Sequence, residues 1–324
     1  MNPNAKPNHP KVAVLLAAFN GAQWLEEQVI SILNQENIEL SLFINVDSSS
    51  DGTEVLVSDL CKKYPQIQHL EFRKRFGGAA QNFYHLLSSV DFDSYEFIAL
   101  ADQDDIWLPN KLKRAISCLS ILKAQAYSSD ATAFWESGKE VGIIKSQRQT
   151  PWDFLFEAAG PGCTYVFTQN LALQIQQMLI HKQVLVSSIY MHDWLLYAFT
   201  RSKQYRWFID DQSCIRYRQH LSNQVGANIG VNAFIKRSRK VLSGWALGQS
   251  LQIARTLDLE PSPFLQDWKT GSRLAYLRLA KYSWQCRRKP VDKLYFFFAC
   301  LGIFIMGSPI DKPVHPSNPL MEQH

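Results

Sequence analysis

The 324-residue sequence predicts an α/β fold: a mostly parallel sheet flanked by helices, followed by a helical, basic C-terminal extension. Three observations predict it. Through residues 11–101, short apolar runs alternate with segments of helical period, the pattern of parallel β-α-β units joined by right-handed crossovers. A hydrophobic content of 46% over this length is enough to bury a large core. The charge is also uneven: residues 236–293 carry 13 Lys plus Arg against 4 Asp plus Glu, a local +9 that leaves −4 on the remainder.

Residues 11–17 (KVAVLLA) read as a buried strand, and residues 24–33 as a helix with Leu25, Val29, Ile32 and Leu33 on one face. Asn20-Gly21 punctuates the two. Residues 40–46 form a second strand, followed by DSSSDGT, in which Asp51-Gly52 signals a turn and Thr53 can cap a helix beginning at Glu54. Residues 66–72 read as a third strand, and after Gly77-Gly78 a helix runs through Asn82 and Leu87. The fourth strand, residues 95–101, ends in Asp102, Asp104 and Asp105, with Trp107 and Pro109 following. In sheets of this kind ligands bind at the carboxyl ends of the strands, near a switch in strand order. Phe19-Asn20, the DSSSDGT turn, residues 74–78 and the acid cluster are therefore expected along one edge.

Three carboxylates so close together repel one another and call for a counter-charge, either a divalent cation or basic side chains. One reading is an Asp-x-Asp metal site that grips a diphosphate; the other is a polar turn that starts the helix near Pro109. A nucleotide fits the same edge. Asp47 can accept from the N3–H of uracil or thymine, Phe19 can pack on the base, and Arg73, Lys74 or Arg75 can offset phosphate charge. Each has a plainer alternative: Asp47 as a turn former, Phe19 as core, the basic run as a solvated edge. The sequence contains no GxxxxGK[ST] and no well-placed GxGxxG, so P-loop and dinucleotide readings have no support.

In the second half, residues 154–168 (FLFEAAGPGCTYVFT) pass through Gly160-Pro161-Gly162 into a strand-like TYVFT, and residues 170–179 read as a helix. Asp193, in YMHDWLLYAF, is the sole acid between Glu157 and Asp210. It stands at an apolar, aromatic helix start, where burial raises a carboxyl's pKa unless a neighbour such as His192 stabilises the charge. The alternative is a helix N-terminal carboxylate facing the dipole. Residues 215–218 read as a short strand that leads to Gln219-His220, with Asn223 beyond.

Past residue 230 the chain is helical and basic, with apolar residues at helical spacing between the cations. The run LYFFFACLGIFIMG, residues 294–307, has 14 uncharged residues, short of the roughly 20 of a spanning helix. It reads as a packing helix or as an interfacial anchor assisted by upstream cations. The six cysteines are scattered without a Cys-x-x-Cys, which indicates neither a zinc site nor a disulfide framework. With no secretory pattern at the start, a cytoplasmic location is the expectation. No nucleic acid partner is expected.

The ordered set VAVLLAAFNG-x-x-x-L, VDSSSDGT, FGGAAQNF and ALADQDDIWLPNKL resembles glycosyltransferase family 2, nucleotide-sugar enzymes of GT-A fold, and its DQDDIW form resembles the bacterial rhamnosyltransferase branch. The resemblance spans roughly residues 11–225 and is strengthened by YRQH-x-x-N. Paired acids are usual in relatives where this chain has Val46-Asp47, and Ser48 and Ser49 replace the usual glycine and serine. The resemblance implies a GT-A domain over residues 1–230, with a nucleotide-binding half near 11–107 and an acceptor half near 108–230, ahead of the basic region 231–324.

It also implies an enzyme that moves a sugar, rhamnose in that branch, from a dTDP- or UDP-linked donor to a glycan or lipid-linked acceptor in cell-surface polysaccharide (O-antigen) synthesis. Such an enzyme works in the cytoplasm, with peripheral contact at the inner face of the plasma membrane. Donor contacts are implied for Ala17, Phe19, Asn20, Asp47, Lys74, Asn82, Asp102, Gln103 and Trp107. Mg²⁺ or Mn²⁺ is implied on Asp104 and Asp102 with His220, and Asp193 stands where the family carries its catalytic base. Two other functions compete. A nucleotidyltransferase of similar fold would need a Lys/Arg-rich first loop, which AAFNGAQWL lacks. A non-catalytic nucleotide-sugar-binding scaffold would not need Asp193.

Overall fold

The computed structural model describes residues 9–70, 75–220 and 244–306. The chain forms two compact units, one of Met1–Ser146 with Ala159–Arg218, the other of Gln147–Ala158 with Gln219–His324.

The first unit is built on a seven-stranded sheet whose strands, in chain order, are β1 (Lys11–Ala18), β2 (Glu39–Val46), β3 (Ile67–His69), β4 (Phe97–Asp102), β6 (Ala126–Ser129), β9 (Val166–Thr168) and β10 (Trp207–Asp210). Their spatial order is β10-β6-β9-β4-β1-β2-β3. All pairings are parallel except those of β9, which runs antiparallel to both β4 and β6. The expected mostly parallel sheet is present. Val12, Val14 and Leu16 on one face of β1, and Ala13 and Leu15 on the other, have no exposed surface. That is why the strand is a continuous apolar run and not an alternating one.

Helices α1 (Leu25–Leu33), α2 (Thr53–Lys63), α3 (Ala79–Ser89), α4 (Lys111–Leu122), α5 (Gln169–His181), α6 (Gln183–Val186) and α7 (His192–Ser202) accompany the sheet. The apolar stripe read on residues 24–33 is what α1 buries, through Leu25, Val29 and Ile32. At α2 the expectation needs correcting. Thr53 is the first residue of the helix and does not cap it; Asp51 accepts its N–H (3.1 Å), and the Thr53 hydroxyl instead accepts from Gly21 N–H (2.9 Å).

A second sheet of β5 (Ile106–Trp107), β7 (Ala131–Phe134), β8 (Glu140–Ile143) and β11 (Ile215–Arg218), ordered β5-β11-β7-β8, is found in the same unit. β7 and β8 form a local antiparallel hairpin, whereas β11 joins β5 and β7 by long-range pairing.

The second unit contains α8 (Trp245–Thr256), α9 (Pro263–Gln266), α10 (Arg273–Lys281), α11 (Ser283–Cys286) and α12 (Pro290–Met306). The segment from residue 147 to 158 is anchored among them. Trp152 stacks on Phe264 with centroids 4.3 Å apart, and Phe156 packs against Phe264, Trp268 and Phe296. Buried Arg288 pairs with Asp153 (3.3 Å) and Glu157 (3.5 Å). Among the described residues no helix is long and apolar enough to cross a membrane.

Candidate active site

Strand register brings three loop origins level. Ala17 of β1 pairs with Asn45 of β2 on one side and Asp102 of β4 on the other. The loops after these strands therefore open along one edge, beside the β1–β4 switch in strand order. Asn82, reaching up from α3, joins the strand ends: its Oδ1 accepts from Asn45 Nδ2 (2.7 Å), and its Nδ2 donates to the carbonyls of Asn45 (3.2 Å) and Ala18 (3.4 Å). Asn82 and Ala17 thus form the floor of the edge, and both are buried.

The first two loops are cross-linked. Asn20 N–H donates to Ser49 Oγ (3.0 Å), Ser50 N–H to Asn20 Oδ1 (2.8 Å) and Ala22 N–H to Asp51 Oδ2 (2.9 Å). Gln103 clamps the backbone of Phe19 at both ends, its Oε1 accepting from Phe19 N–H (2.7 Å) and its Nε2 donating to Phe19 carbonyl (2.8 Å). A side chain at Gly21 would collide with the Gln103 amide, so the glycine is required by this clamp. Phe19 itself is 39% exposed, with its ring open to a base.

Asp47 is buried and accepts the N–H groups of Ser48 (2.8 Å), Phe76 (2.8 Å) and Gly77 (3.0 Å). It therefore pins residues 76 and 77, and with about four lone-pair sites on a carboxylate these three bonds leave one uncommitted. Lys74 and Arg73 lie outside the described residues.

The acid cluster follows β4. Asp102 is partly exposed, whereas Asp104 and Asp105 are buried. Arg218 clasps the turn, its N–H donating to Asp105 Oδ1 (3.1 Å) and its Nε to the Asp104 carbonyl (2.8 Å). Burial, then the charges of Asp104 and Asp193, push Asp102 up to about 7. Burial, Asp104 and Asp102 push Asp105 well above the usual carboxylate range. Carboxylates that resist ionising together mark a place where a cation is favoured. Asp102, Asp105 and the Cys163 sulfur present ligand atoms within 4.8 Å of one another. The thiol's own pKa is driven well up by burial and by the two carboxylates, so it stays protonated, with a single S–H to share between Asp102 and Asp105. The oxygen donors fit a hard divalent cation such as Mg²⁺ or Mn²⁺.

Trp107 lies beneath the cluster, 2% exposed, with the Lys111 ammonium 3.6 Å from its ring centroid. Its place is behind the pocket wall, where it offers no face to a donor. His220 belongs to the second unit.

Asp193 stands in the first turn of α7, where its Oδ1 accepts Trp194 N–H (2.8 Å). Burial raises its carboxyl to about 6, against the pull of Trp194 N–H and Lys145. The stabilising neighbour is not His192. That ring is stacked on Phe83 at 4.2 Å, and burial pushes it down to about 3, so it is neutral. The cation is Lys145, which gave no signal in the sequence because it comes from a loop 48 residues away. Asp130 positions that loop by accepting the N–H groups of Lys145 (2.6 Å) and Ser146 (2.9 Å).

Tyr165 ties the glycine bend to the helix, its hydroxyl donating to the carbonyls of Gly160 (3.2 Å) and Asp193 (3.3 Å). Gly162 approaches His192 so closely that a Cβ would strike its ring. Three other acids of the second half are committed elsewhere. Asp210 is held bidentately by Arg114 (2.6 and 2.8 Å) and by the Tyr127 hydroxyl (2.9 Å), and Asp153 and Glu157 pair with Arg288.

Residues 13–137 match the model of glycosyl transferase family 2. The chain is 40% identical over 291 residues to the dTDP-rhamnosyl transferase RfbG of Shigella flexneri, which covers 89% of this chain and 100% of that protein. It is 24% identical over 173 residues to the Escherichia coli glucosyltransferase WfgD, covering 53% of this chain and 66% of the relative. Among solved structures, S. aureus TarS 1–349 superposes with a TM-score of 0.51 in its complex with UDP-GlcNAc and 0.53 with UDP, at 13% and 14% identity, each over 92% of both chains. The fold is therefore of the GT-A type, and the identity to RfbG across that protein's full length shows that this chain belongs to glycosyl transferase family 2 and catalyses glycosyl transfer.

Proposed function

We propose that this enzyme transfers rhamnose from a dTDP-linked donor to a hydroxyl of a glycan or lipid-linked glycan in cell-surface polysaccharide synthesis, inverting the anomeric carbon. The observation that carries the reading is the identity to a dTDP-rhamnosyl transferase over the whole of that relative. The exposed ring of Phe19 takes the base, with Asp47 on its N–H; Asn20 and Lys74 complete the donor contacts. Ala17, Asn82, Gln103 and Trp107 act from behind, fixing the strand ends and loops.

Asp102 and Asp104 would hold the divalent cation, Mg²⁺ or Mn²⁺. When bound there, it neutralises charge on the departing nucleotide diphosphate. Asp193 takes the proton of the acceptor hydroxyl as that oxygen bonds to the anomeric carbon from the face opposite the leaving group. The bond from that carbon to the diphosphate breaks, and its electron pair leaves with the nucleotide. The Trp194 N–H and then Lys145 favour the ionised form of Asp193 against the effect of burial.

A peripheral position at the inner face of the plasma membrane, mediated by the region from residue 231 to 324, belongs to the same proposal. Helix α12 supports it: Val291, Leu294, Phe298 and Ile305 recur at helical spacing and are 48–76% exposed, and exposed Arg278 and Lys281 lie in the same unit. The donor is tested by offering dTDP-rhamnose and UDP-glucose separately with lipid-linked glycan and Mn²⁺. Acceptor-dependent release of dTDP is the expected result, and turnover of UDP-glucose alone would refute the rhamnosyl assignment.

A further inference from the structure

Asp193 stands on α7, whereas the acid cluster follows β4, and Tyr165 reaches both elements. Its carbonyl accepts the N–H of Leu100 (3.1 Å), two residues before Asp102 on β4. Its ring is fully buried and meets Trp207 edge-on, with centroids 4.7 Å apart. Trp207 is fixed in turn, edge-on to Tyr197 of α7 at 5.1 Å and donating its Nε1–H to Ser128 Oγ (2.9 Å). The Tyr165 hydroxyl accepts Ala159 N–H (3.2 Å), and its one O–H is shared between the carbonyls of Gly160 (3.2 Å) and Asp193 (3.3 Å). A buried hydroxyl that both accepts and donates is costly to displace.

The glycine bend meets the start of α7 at a second point. His192 directly precedes Asp193, and its Nε2 is buried and makes no hydrogen bond, so packing holds the ring. Phe83, which has no exposed surface, stacks on one side at 4.2 Å, and Gly162 closes so near Nε2 that a Cβ there would strike it. In a close-packed interior such a ring has nowhere to retreat. We propose that the bend of residues 159–162 is the template that positions Asp193, with Tyr165 and His192 as the positioning residues through which it acts: they fix the carboxyl against β4, the strand that ends in the acid cluster. The inference rests on the reading of Asp193 as the base given above.

The test compares wild type, Tyr165→Phe, Asp193→Asn and the double variant by dTDP affinity in Mn²⁺, by acceptor-dependent release of dTDP from dTDP-rhamnose with lipid-linked glycan, and by amide hydrogen exchange over residues 191–195. Tyr165→Phe keeps the ring against Trp207 and removes only the hydroxyl, so dTDP affinity should stay within about twofold of wild type while turnover falls roughly ten- to a hundredfold. Exchange over residues 191–195 should quicken. Added to Asp193→Asn, the same change should cost less than about twofold more, because groups that act as a unit are not additive. A full further loss on top of Asp193→Asn would overturn the proposal, as would a Tyr165→Phe protein that melts lower yet turns over like wild type, the mark of a merely structural hydroxyl. Loss of dTDP binding together with turnover would mean general disruption and would overturn it too. If Tyr165→Phe does not fold, Gly162→Ala, which pushes His192 against Phe83, decides: loss of turnover with dTDP affinity kept supports the template, and wild-type turnover overturns it. If Asp193→Asn turns over normally, or wild type does not use this donor, the reading of the base or of the donor fails by itself. Exchange then decides, since quickened exchange in Tyr165→Phe still supports the positioning of Asp193 and wild-type rates still overturn it.

Discussion

Replacing Asp193 with Asn separates chemistry from folding. In the fold this carboxyl titrates near 6 against an ordinary 3.8, because burial outweighs the Trp194 N–H and Lys145. An acid whose folded pKa lies above its unfolded one carries no penalty below the unfolded value. The fold loses stability as pH rises through the folded value. An upward shift of about two units corresponds to at most about 3 kcal/mol at alkaline pH, and partial exposure makes roughly 1–2 kcal/mol the working figure. Asn retains the size of Asp and an oxygen for Trp194 N–H, so its main effect on stability is removal of that penalty.

The variant should therefore melt above wild type near pH 8, by about 2–4 °C per kcal/mol, and the gain should vanish near pH 4. Turnover should fall about 10²- to 10⁴-fold while donor affinity persists, and wild-type turnover should rise with pH through about 6 before levelling. Melting curves at several pH values, donor titration and acceptor-dependent nucleotide release make up the assay. A variant that melts lower at pH 8 and keeps turnover within about tenfold of wild type would refute the reasoning, since that is the behaviour of a structural carboxylate.

Asp104→Ala should abolish Mn²⁺-dependent binding of nucleotide diphosphate with little change in melting temperature; calorimetric affinity equal to wild type in Mn²⁺ would remove Asp104 from the metal site. Gly21→Ala should force Gln103 off the Phe19 backbone and weaken donor binding about tenfold, or about 1.4 kcal/mol, and an unaltered affinity would show that the clamp does not shape the pocket. Phe298→Glu with Ile305→Glu should reduce co-sedimentation with anionic vesicles, an effect that added salt should mimic in wild type; full binding by the double variant would exclude this face of α12 from lipid contact.

Much of the sheet is legible because its central strands are locally encoded. Residues 12–17 and 97–101 are apolar on both faces, and each is followed by a turn signal and a helical period, so β1 and β4 can be read from neighbours within ten residues or so. The second sheet is not legible in this way. β5 is two residues long and β7, β8 and β11 four each, too short for a period; β7 and β8 pair as a hairpin, but the sheet joins β5 and β11 to them only because partners such as Arg216 and Thr132, 84 positions apart, are brought together. The association of residues 147–158 with the C-terminal helices is equally non-local, resting on Trp152 against Phe264 and Asp153 against Arg288.

At the site, the residue types at the ends of β1, β2 and β4 are readable from the chain alone, since a parallel register makes strand ends coincide: Phe19, Asp47 and the acids from 102 to 105 are where the apolar runs stop. Tertiary structure decided what each one does. Asp47 holds a loop because Phe76 and Gly77 fold back onto it, and Trp107 is buried because Lys111 closes over it. Asp193 draws its counter-charge from Lys145 and not from adjacent His192, because the packing of His192 on Phe83 strips that ring of charge. The physical reason is common to all three. Backbone periodicity depends on residues adjacent in the chain, whereas the ionisation and orientation of a polar side chain depend on whatever charges, donors and apolar walls folding brings within a few ångströms.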